Sequence, residues 1–315
     1  MMRFCYAAMI MFLIGCEKPS SKLSEWKADS AHVKVLCTNA IIHDLVTRVG
    51  GERIFSLSLI DPLIDPHSYE MRKGDEEKFL SAQVIFFNGL GLEHSPSLLK
   101  HLLSHPSACC LGDFITIKDP SLILEDKGQV DPHIWLDTLL WSYTIDPIVE
   151  KLSTFDPEGK DYYEQKGAET KASLLTLHHL MLETFHRIPS QKKHLVSSHD
   201  AFNYFTRRYL VENPLQDWRD YFCAPEGLAP DGQLSFYDLK RVIAYIQKHH
   251  VKVVFSETNV SQDSLRKIVD ICQSEAYDVK IYPSHLLSDT LGDHNSYESM
   301  MKHNLSVLVK AWSET

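Results

Sequence analysis

Apolar and polar positions along this chain alternate between two rhythms. Val33–Cys37 is a short apolar run suited to a strand. Ile41, Ile42, Leu45, Val46 and Val49 then recur at helical spacing and stop at Gly50-Gly51, a glycine pair that ends a helix well. Ile54–Ile60 predicts a second strand, Glu76–Ala82 a short helix, Val84–Asn88 a buried strand, and Pro96–Ser104 another helix. The second half repeats the style. His194–Ser198 reads as a strand ending at His199, and Ser235 with Asp238 caps a helix carrying Leu239, Val242, Ile243 and Ile246. Val251–Phe255 is a strand ending near Glu257. Leu265, Ile268, Val269 and Cys272 mark a helix, Val279–Tyr282 a strand, and Tyr297, Met300, Met301, Asn304 and Leu308 the last helix. Strand–helix alternation of this kind predicts an α/β fold with parallel sheets.

Between the halves, Pro157 to Arg187 contains no internal proline and one central glycine, Gly167. Ala168, Ala172, Leu175, His179 and Leu182 follow alternating spacings of four and three. A helix of about 30 residues would be about 45 Å long and would stiffen the connection between two lobes. Two helices broken near Gly167 are the alternative. The predicted layout is a signal segment over 1–15, a tether over 16–31, an N-terminal α/β lobe over 32–153, a connecting helix over 154–190 and a C-terminal α/β lobe over 191–315.

The start of the chain adds a location. Met1-Met2-Arg3 precedes an apolar run, Phe4 to Ile14, that is too short to span a bilayer as a mature helix. Leu13-Ile14-Gly15-Cys16 resembles the lipobox of bacterial lipoproteins, in which the signal is cut before a cysteine that then carries lipid. Cys16 is therefore the expected anchor, and a plain secretory signal with a chance cysteine is the alternative. The net charge of −10 argues against nucleic acid and suits a cationic ligand. Of seven cysteines, five lie beyond Cys16, an odd number, and their spacing matches no metal motif. Cys223 and Cys272 are a candidate bridge.

The chemistry is carried by a repeated triplet. Asp65-Pro66-His67 and Asp131-Pro132-His133 lie 66 residues apart, and each is followed after one residue by an aromatic, Tyr69 and Trp135. Proline fixes its own φ and pushes the preceding aspartate toward extended geometry, so the backbone before each histidine is pre-set. Two imidazoles held by such turns at the ends of βα units suggest a shared metal site. Asp65 and Asp131 would accept the free ring N–H and fix the tautomer. The competing reading is an ordinary turn that ends in histidine. Glu257 is read either as a carboxylate beside the metal or as a cap for a helix starting near Ser261.

These features belong to a longer pattern. It includes the lipobox, Asp65-Pro66-His67-Ser68-Tyr69, Asn88-Gly89-Leu90-Gly91-Leu92-Glu93 and Asp131-Pro132-His133-Ile134-Trp135. It continues through Ser198-His199-Asp200-Ala201-Phe202-Asn203-Tyr204-Phe205, Phe255-Ser256-Glu257 and Ser288-Asp289-Thr290-Leu291-Gly292. The chain resembles the metal-binding lipoproteins of zinc/manganese ABC importers, solute-binding protein family 9. The resemblance implies two lobes joined by one long rigid helix and a metal site in the cleft between them. It implies four ligands, His67, His133, His199 and Asp289, with His285, Asp293 and His294 near enough in sequence to compete with Asp289. It also implies a monomeric capture protein outside the inner membrane, anchored by lipid, that hands zinc, manganese or iron to a membrane permease with a separate ATPase. The chain departs from the zinc-specialised branch of that family, because Asp113–Val130 contains no histidine. The alternative function is a secreted zinc-dependent hydrolase with Glu257 as general base, although the chain has no His-Glu-x-x-His. The remaining histidines, including His101 with His105 and the neighbours His178-His179 and His249-His250, are expected to be packed or solvated.

Overall fold

A computed structural model describes residues 22–126, 128–213, 215–229 and 235–314. Cys16 and the signal segment lie outside them. The described chain opens with α1 (Lys22–Ala28), where a tether was expected. The reason is Trp26, which is fully buried and donates its indole N–H to the Phe55 carbonyl at 2.6 Å. A tryptophan of this kind pins a polar segment that shows no periodicity of its own.

The N-terminal lobe follows as β1 (Val33–Cys37), α2 (Ala40–Gly50), β2 (Ile54–Ser58), α3 (Asp75–Ser81), β3 (Val84–Phe87), α4 (Pro96–Ser104), β4 (Ala108–Cys110) and α5 (Leu111–Lys118). The four strands form one parallel sheet in the order β2-β1-β3-β4. Asn39 caps α2 by accepting from the Ile42 N–H, and Gly51, at φ +52°, closes it in a conformation that favours glycine. A small antiparallel ribbon, β5 (Glu125–Asp126) and β6 (Gln129–Val130), leads into the second Asp-Pro-His triplet. The sequence reading placed that triplet after a strand of the parallel sheet. The ribbon lies outside the sheet, and its two-residue strands are too short to show a periodicity.

Helices α6 (Thr138–Ser142) and α7 (Ile145–Phe155) then turn the chain into α8 (Lys160–His186), 27 residues and about 40 Å long. It is one unbroken helix. Its buried residues are Tyr163, Gly167, Thr170, Leu174, Leu177, His178, Met181 and Phe185. They keep the expected rhythm, but displaced from the stripe of Ala168, Ala172, Leu175, His179 and Leu182. The displacement has a packing cause: a Cβ on Gly167 would lie 2.6 Å from Val149 Cγ2, so the glycine lets α7 close onto α8. A pattern search that ranks alanine above glycine as a core residue misses this.

The C-terminal lobe runs β7 (Leu195–Val196), a helical turn α9 (Asn203–Phe205) extended by a π-helical stretch over Thr206–Leu210, β8 (Phe222–Cys223), α10 (Phe236–Lys248), β9 (Val253–Val254), α11 (Asp263–Ser274), β10 (Lys280–Ile281) and α12 (Tyr297–Glu314). β7 pairs with β8 and β9 with β10, both parallel, and the Phe255 N–H donates to the Val196 carbonyl at 2.8 Å to join the pairs. The strands are shorter than expected because the chain leaves the sheet early to build the loops beyond it. Single bridges, His199 with Glu226 and Glu257 with Leu286, continue the pairing into those loops. Cys223 and Cys272 pack in one apolar cluster without a bond between them, so the candidate bridge does not form.

The two lobes share a core. One cluster of buried residues runs from Val35 on β1 through Trp141 on α6 and Leu174 on α8 to Phe255 and Trp312 in the C-terminal lobe. The fold is thus α/β, with two parallel-sheet lobes bridged by α8 and by continuous apolar packing. Among the described residues no helix is long and apolar enough to cross a membrane. Replacing Gly167 by leucine should overpack the α7–α8 contact and cost about 1–3 kcal/mol of stability. Urea unfolding measures this, and an unchanged midpoint would show that the contact has room to spare.

Candidate metal centre

The carboxyl ends of both sheets face the space between the lobes, where open α/β sheets gather their ligands. Four loops meet there. His67 lies in the loop after β2, His133 after the ribbon, His199 after β7, and Asp289 in the loop between β10 and α12. One ligand atom from each lies within 4.8 Å of every other, and all four residues are buried. His133 and His199 have no exposed surface, whereas His67 retains 4%. His67 also lines a cavity of about 830 Å³ with His94, Asp113 and Glu125, which makes it the outermost of the four.

The spacing is that of a coordination shell. His67 Nε2 lies 3.1 Å from His133 Nε2, Asp289 Oδ1 lies 3.3 Å from His133 Nε2 and 3.8 Å from His67 Nε2, and Asp289 Oδ2 lies 3.2 Å from His199 Nε2. A tetrahedral ion with bonds of about 2.1 Å sets its ligand atoms about 3.4 Å apart. Both carboxylate oxygens face imidazole nitrogens, so a five-atom donor set is also within reach. Oδ2 accepts from Asn259 Nδ2 and from the Ser288 hydroxyl, but Oδ1 is buried with no hydrogen-bond partner. A buried, unpaired carboxylate oxygen calls for a cation.

The supports differ between the two Asp-Pro-His copies. Asp131 Oδ1 accepts the His133 backbone N–H at 2.9 Å and the ring Nδ1–H at 2.7 Å. Nε2 is thereby left as the lone-pair nitrogen facing the cluster. Asp65 Oδ1 accepts only the His67 backbone N–H, at 2.9 Å. It shapes the turn and does not orient the ring, which departs from the role expected for it. For His199 that role falls to Glu257. Its Oε1 accepts the backbone N–H groups of Ser198 and His199, and its Oε2 lies 2.7 Å from His199 Nδ1, close but poorly aligned for a hydrogen bond. Glu257 is a ligand-orienting carboxylate in position, and α11 begins well beyond it at Asp263.

The electrostatics follow from burial and pairing. Burial alone would lower the pKa of His133, but Asp131 and Asp289 more than reverse this and raise it to about 9. Burial likewise works against a charged His199, and Glu257 and Asp289 lift it well above the ordinary value. Burial pushes Asp289 up, and His199, His133 and His67 together hold it well below the usual carboxylate range.

Several supporting residues left no sign of their roles in the sequence. Asn203 Nδ2 donates to Asp131 Oδ2 and the Tyr204 hydroxyl to the Asp131 carbonyl, so the third loop grips the second. Trp135 Nε1 donates to the Ser288 carbonyl at 2.6 Å, which ties the second loop to the fourth. Asn88 Nδ2 donates to the Pro132 carbonyl, while Glu93 accepts from the Asn88 and Gly89 N–H groups and from Thr38. Asn88, Glu93, Trp135, Asn203 and Tyr204 all sit inside the quoted motifs. Asn259 lies outside them, and only its contact with Asp289 reveals it.

Two α/β lobes with a buried imidazole–carboxylate cluster between them define a solute-binding protein of the metal-capturing class. The chain belongs to the family described as ZnuA, zinc-uptake complex component A, periplasmic, which matches residues 35–311. It is 37% identical over 307 residues to the metal-binding protein YtgA of Chlamydia trachomatis, covering 96% of this chain and 93% of that one. It is 28% identical over 305 residues to the manganese-binding lipoprotein MntA of Bacillus subtilis, covering 95% and 94%. The crystal structure of Fe(III)-bound YtgA from Chlamydia trachomatis superposes with a TM-score of 0.85 at 37% identity, covering 89% of this chain and 98% of that one.

The unequal supports predict unequal costs. Asp131→Ala would strand the His133 ring and the Asn203 amide in the interior and should cost about 3–5 kcal/mol. Asp65→Ala removes one turn bond and should cost about 1 kcal/mol. Parallel urea titrations of the two variants test this, and equal losses would contradict the assigned roles.

Proposed function

We propose that His67, His133, His199 and Asp289 hold one divalent transition-metal ion as transported cargo, and that the chain is the extracytoplasmic capture component of an ABC importer. The observation that carries this reading is the convergence of three buried imidazoles and the buried Asp289 carboxylate, with ligand atoms within 4.8 Å of one another. Family membership supports the transport role, and the protein works with a permease and an ATPase as members of this class do. Anchoring through Cys16 agrees with the lipoprotein names of relatives such as MntA. The family is one of metal-binding transport proteins rather than enzymes. Four enclosed protein donors also differ from a hydrolytic zinc site, which keeps a position open for water.

Zinc, manganese and iron are all within reach of this donor set. Imidazole suits zinc and iron, carboxylate oxygen suits manganese, and a carboxylate presenting both oxygens permits the higher coordination numbers of the harder ions. The relatives divide in the same way, one named for manganese and one solved with Fe(III).

The ion must displace protons. With His133 raised to about 9 and His199 also raised, protonation of both imidazoles is favoured in the ion-free site. A raised imidazole stabilises the folded state below the ordinary pKa of 6.5, and that contribution is lost as pH rises through about 9. Ion-free stability should therefore fall across that window. Apparent metal affinity should rise across the same window, by about one decade per pH unit for each proton displaced. His199→Ala should lower the number of protons released, and Asp289→Asn should weaken binding by removing the only anionic donor. Calorimetric titration in buffers of different ionisation enthalpy reads both quantities. Affinity that is flat between pH 6.5 and 9, or tight binding by a triple His67, His133 and His199 to Ala variant, would rule the site out.

A further inference from the structure

The histidines after Asp289 do not enter the centre, yet they are arranged like it. His294 lies in the loop before α12 and His303 on α12, and their ring centroids are 4.9 Å apart with 49° between the planes. His67 and His133, within the cluster described above, are 5.1 Å apart with 48° between planes. The match matters because an imidazole lone pair lies in the ring plane. Tilted rings at this separation can aim two lone pairs at one point. Stacked rings cannot, as in His194 and His249 at 4.0 Å and 28°.

The donor nitrogens are available. His303 Nε2 is 2.9 Å from the His285 carbonyl, which can only accept, so Nε2 carries the proton and Nδ1 carries the lone pair. Neither ring nitrogen of His294 hydrogen-bonds to a described residue. Both rings line a cavity of about 420 Å³ together with Asp293, Asn259 and Thr290. Asn259 donates directly to Asp289 Oδ2, and Thr290 is the next residue in the chain, so this cavity and the cluster share a wall. It is separate from the cavity that reaches His67, whose lining contains none of these residues.

We infer that His294 and His303 form a second and weaker, two-imidazole site for a divalent transition metal, staging an ion beside Asp289 on its way to or from the enclosed centre; the staging role rests on the proposed function. Two imidazoles match the borderline character of zinc or iron(II). With fewer donors and an open cavity, the site would exchange its ion faster than the enclosed one.

The test is a Zn²⁺ titration of the purified full chain followed by calorimetry and equilibrium dialysis. The wild type should take up two equivalents, the second weaker than the first. His294→Ala should lose the second equivalent with the first unchanged, and because neither ring nitrogen of His294 hydrogen-bonds to a described residue, removing the ring while keeping the backbone bond to the Leu291 carbonyl leaves the fold intact. His303→Gln keeps a donor for the His285 carbonyl and should lose the second equivalent too. Uptake of a single equivalent by the wild type, or a second equivalent that survives both variants, would overturn the site. Stopped-flow loading of the enclosed centre should be several-fold slower in His294→Ala, and an unchanged rate would overturn the staging role. A His199→Ala, Asp289→Asn variant separates the two readings. It should keep only the weaker equivalent, and if it keeps the tighter one the assignment of the enclosed centre fails while the second site stands.

Discussion

Asp131 is a charged group with no exposed surface, and the arrangement of the centre depends on how it is satisfied. One oxygen holds both the backbone and the ring of His133; the other takes the amide of Asn203; its carbonyl takes the hydroxyl of Tyr204. An enclosed carboxylate without such partners would be too costly to keep. Because Asn203 and Tyr204 come from the opposite lobe, satisfying this one charge also fixes how the lobes meet. Trp135, reaching from the same loop to the Ser288 carbonyl, extends the constraint to the loop of Asp289.

The shared core acts in the same direction. Apolar packing is continuous from β1 through α8 to α12, so separating the lobes would expose core surface as well as break buried hydrogen bonds. The centre therefore combines rigid backbone supports with buried carboxylates that favour cationic imidazoles when no metal is present.

The unequal use of the two Asp-Pro-His triplets shows how context assigns a role to a motif. Both aspartates cap the turn through the histidine backbone N–H. Only Asp131, enclosed by the second lobe, also orients its ring, whereas beside His199 Nδ1 the nearby carboxylate is Glu257, from a different strand end. His67, supported by its turn alone, borders the large cavity.

Much of this was legible in the chain itself. Hydrophobic periodicity revealed the α/β class, the strands of both lobes and the long helix, because helices and strands bury their faces at different periods. The repeated triplet singled out His67 and His133, the family resemblance added His199 and Asp289, and the fold brings ligand atoms of all four within 4.8 Å of one another. The sequence could not reveal which stripe of α8 is buried, since that depends on Gly167 meeting Val149 across a helix contact. Nor could it show that Trp26 docks a helix in place of a tether, that Cys223 and Cys272 do not bridge, or that Asn259 braces Asp289. The division has one physical cause. Local pattern governs backbone conformation and which residues seek burial, whereas the partner that satisfies a buried charge or fills a contact comes from distant chain, and only the tertiary structure selects it.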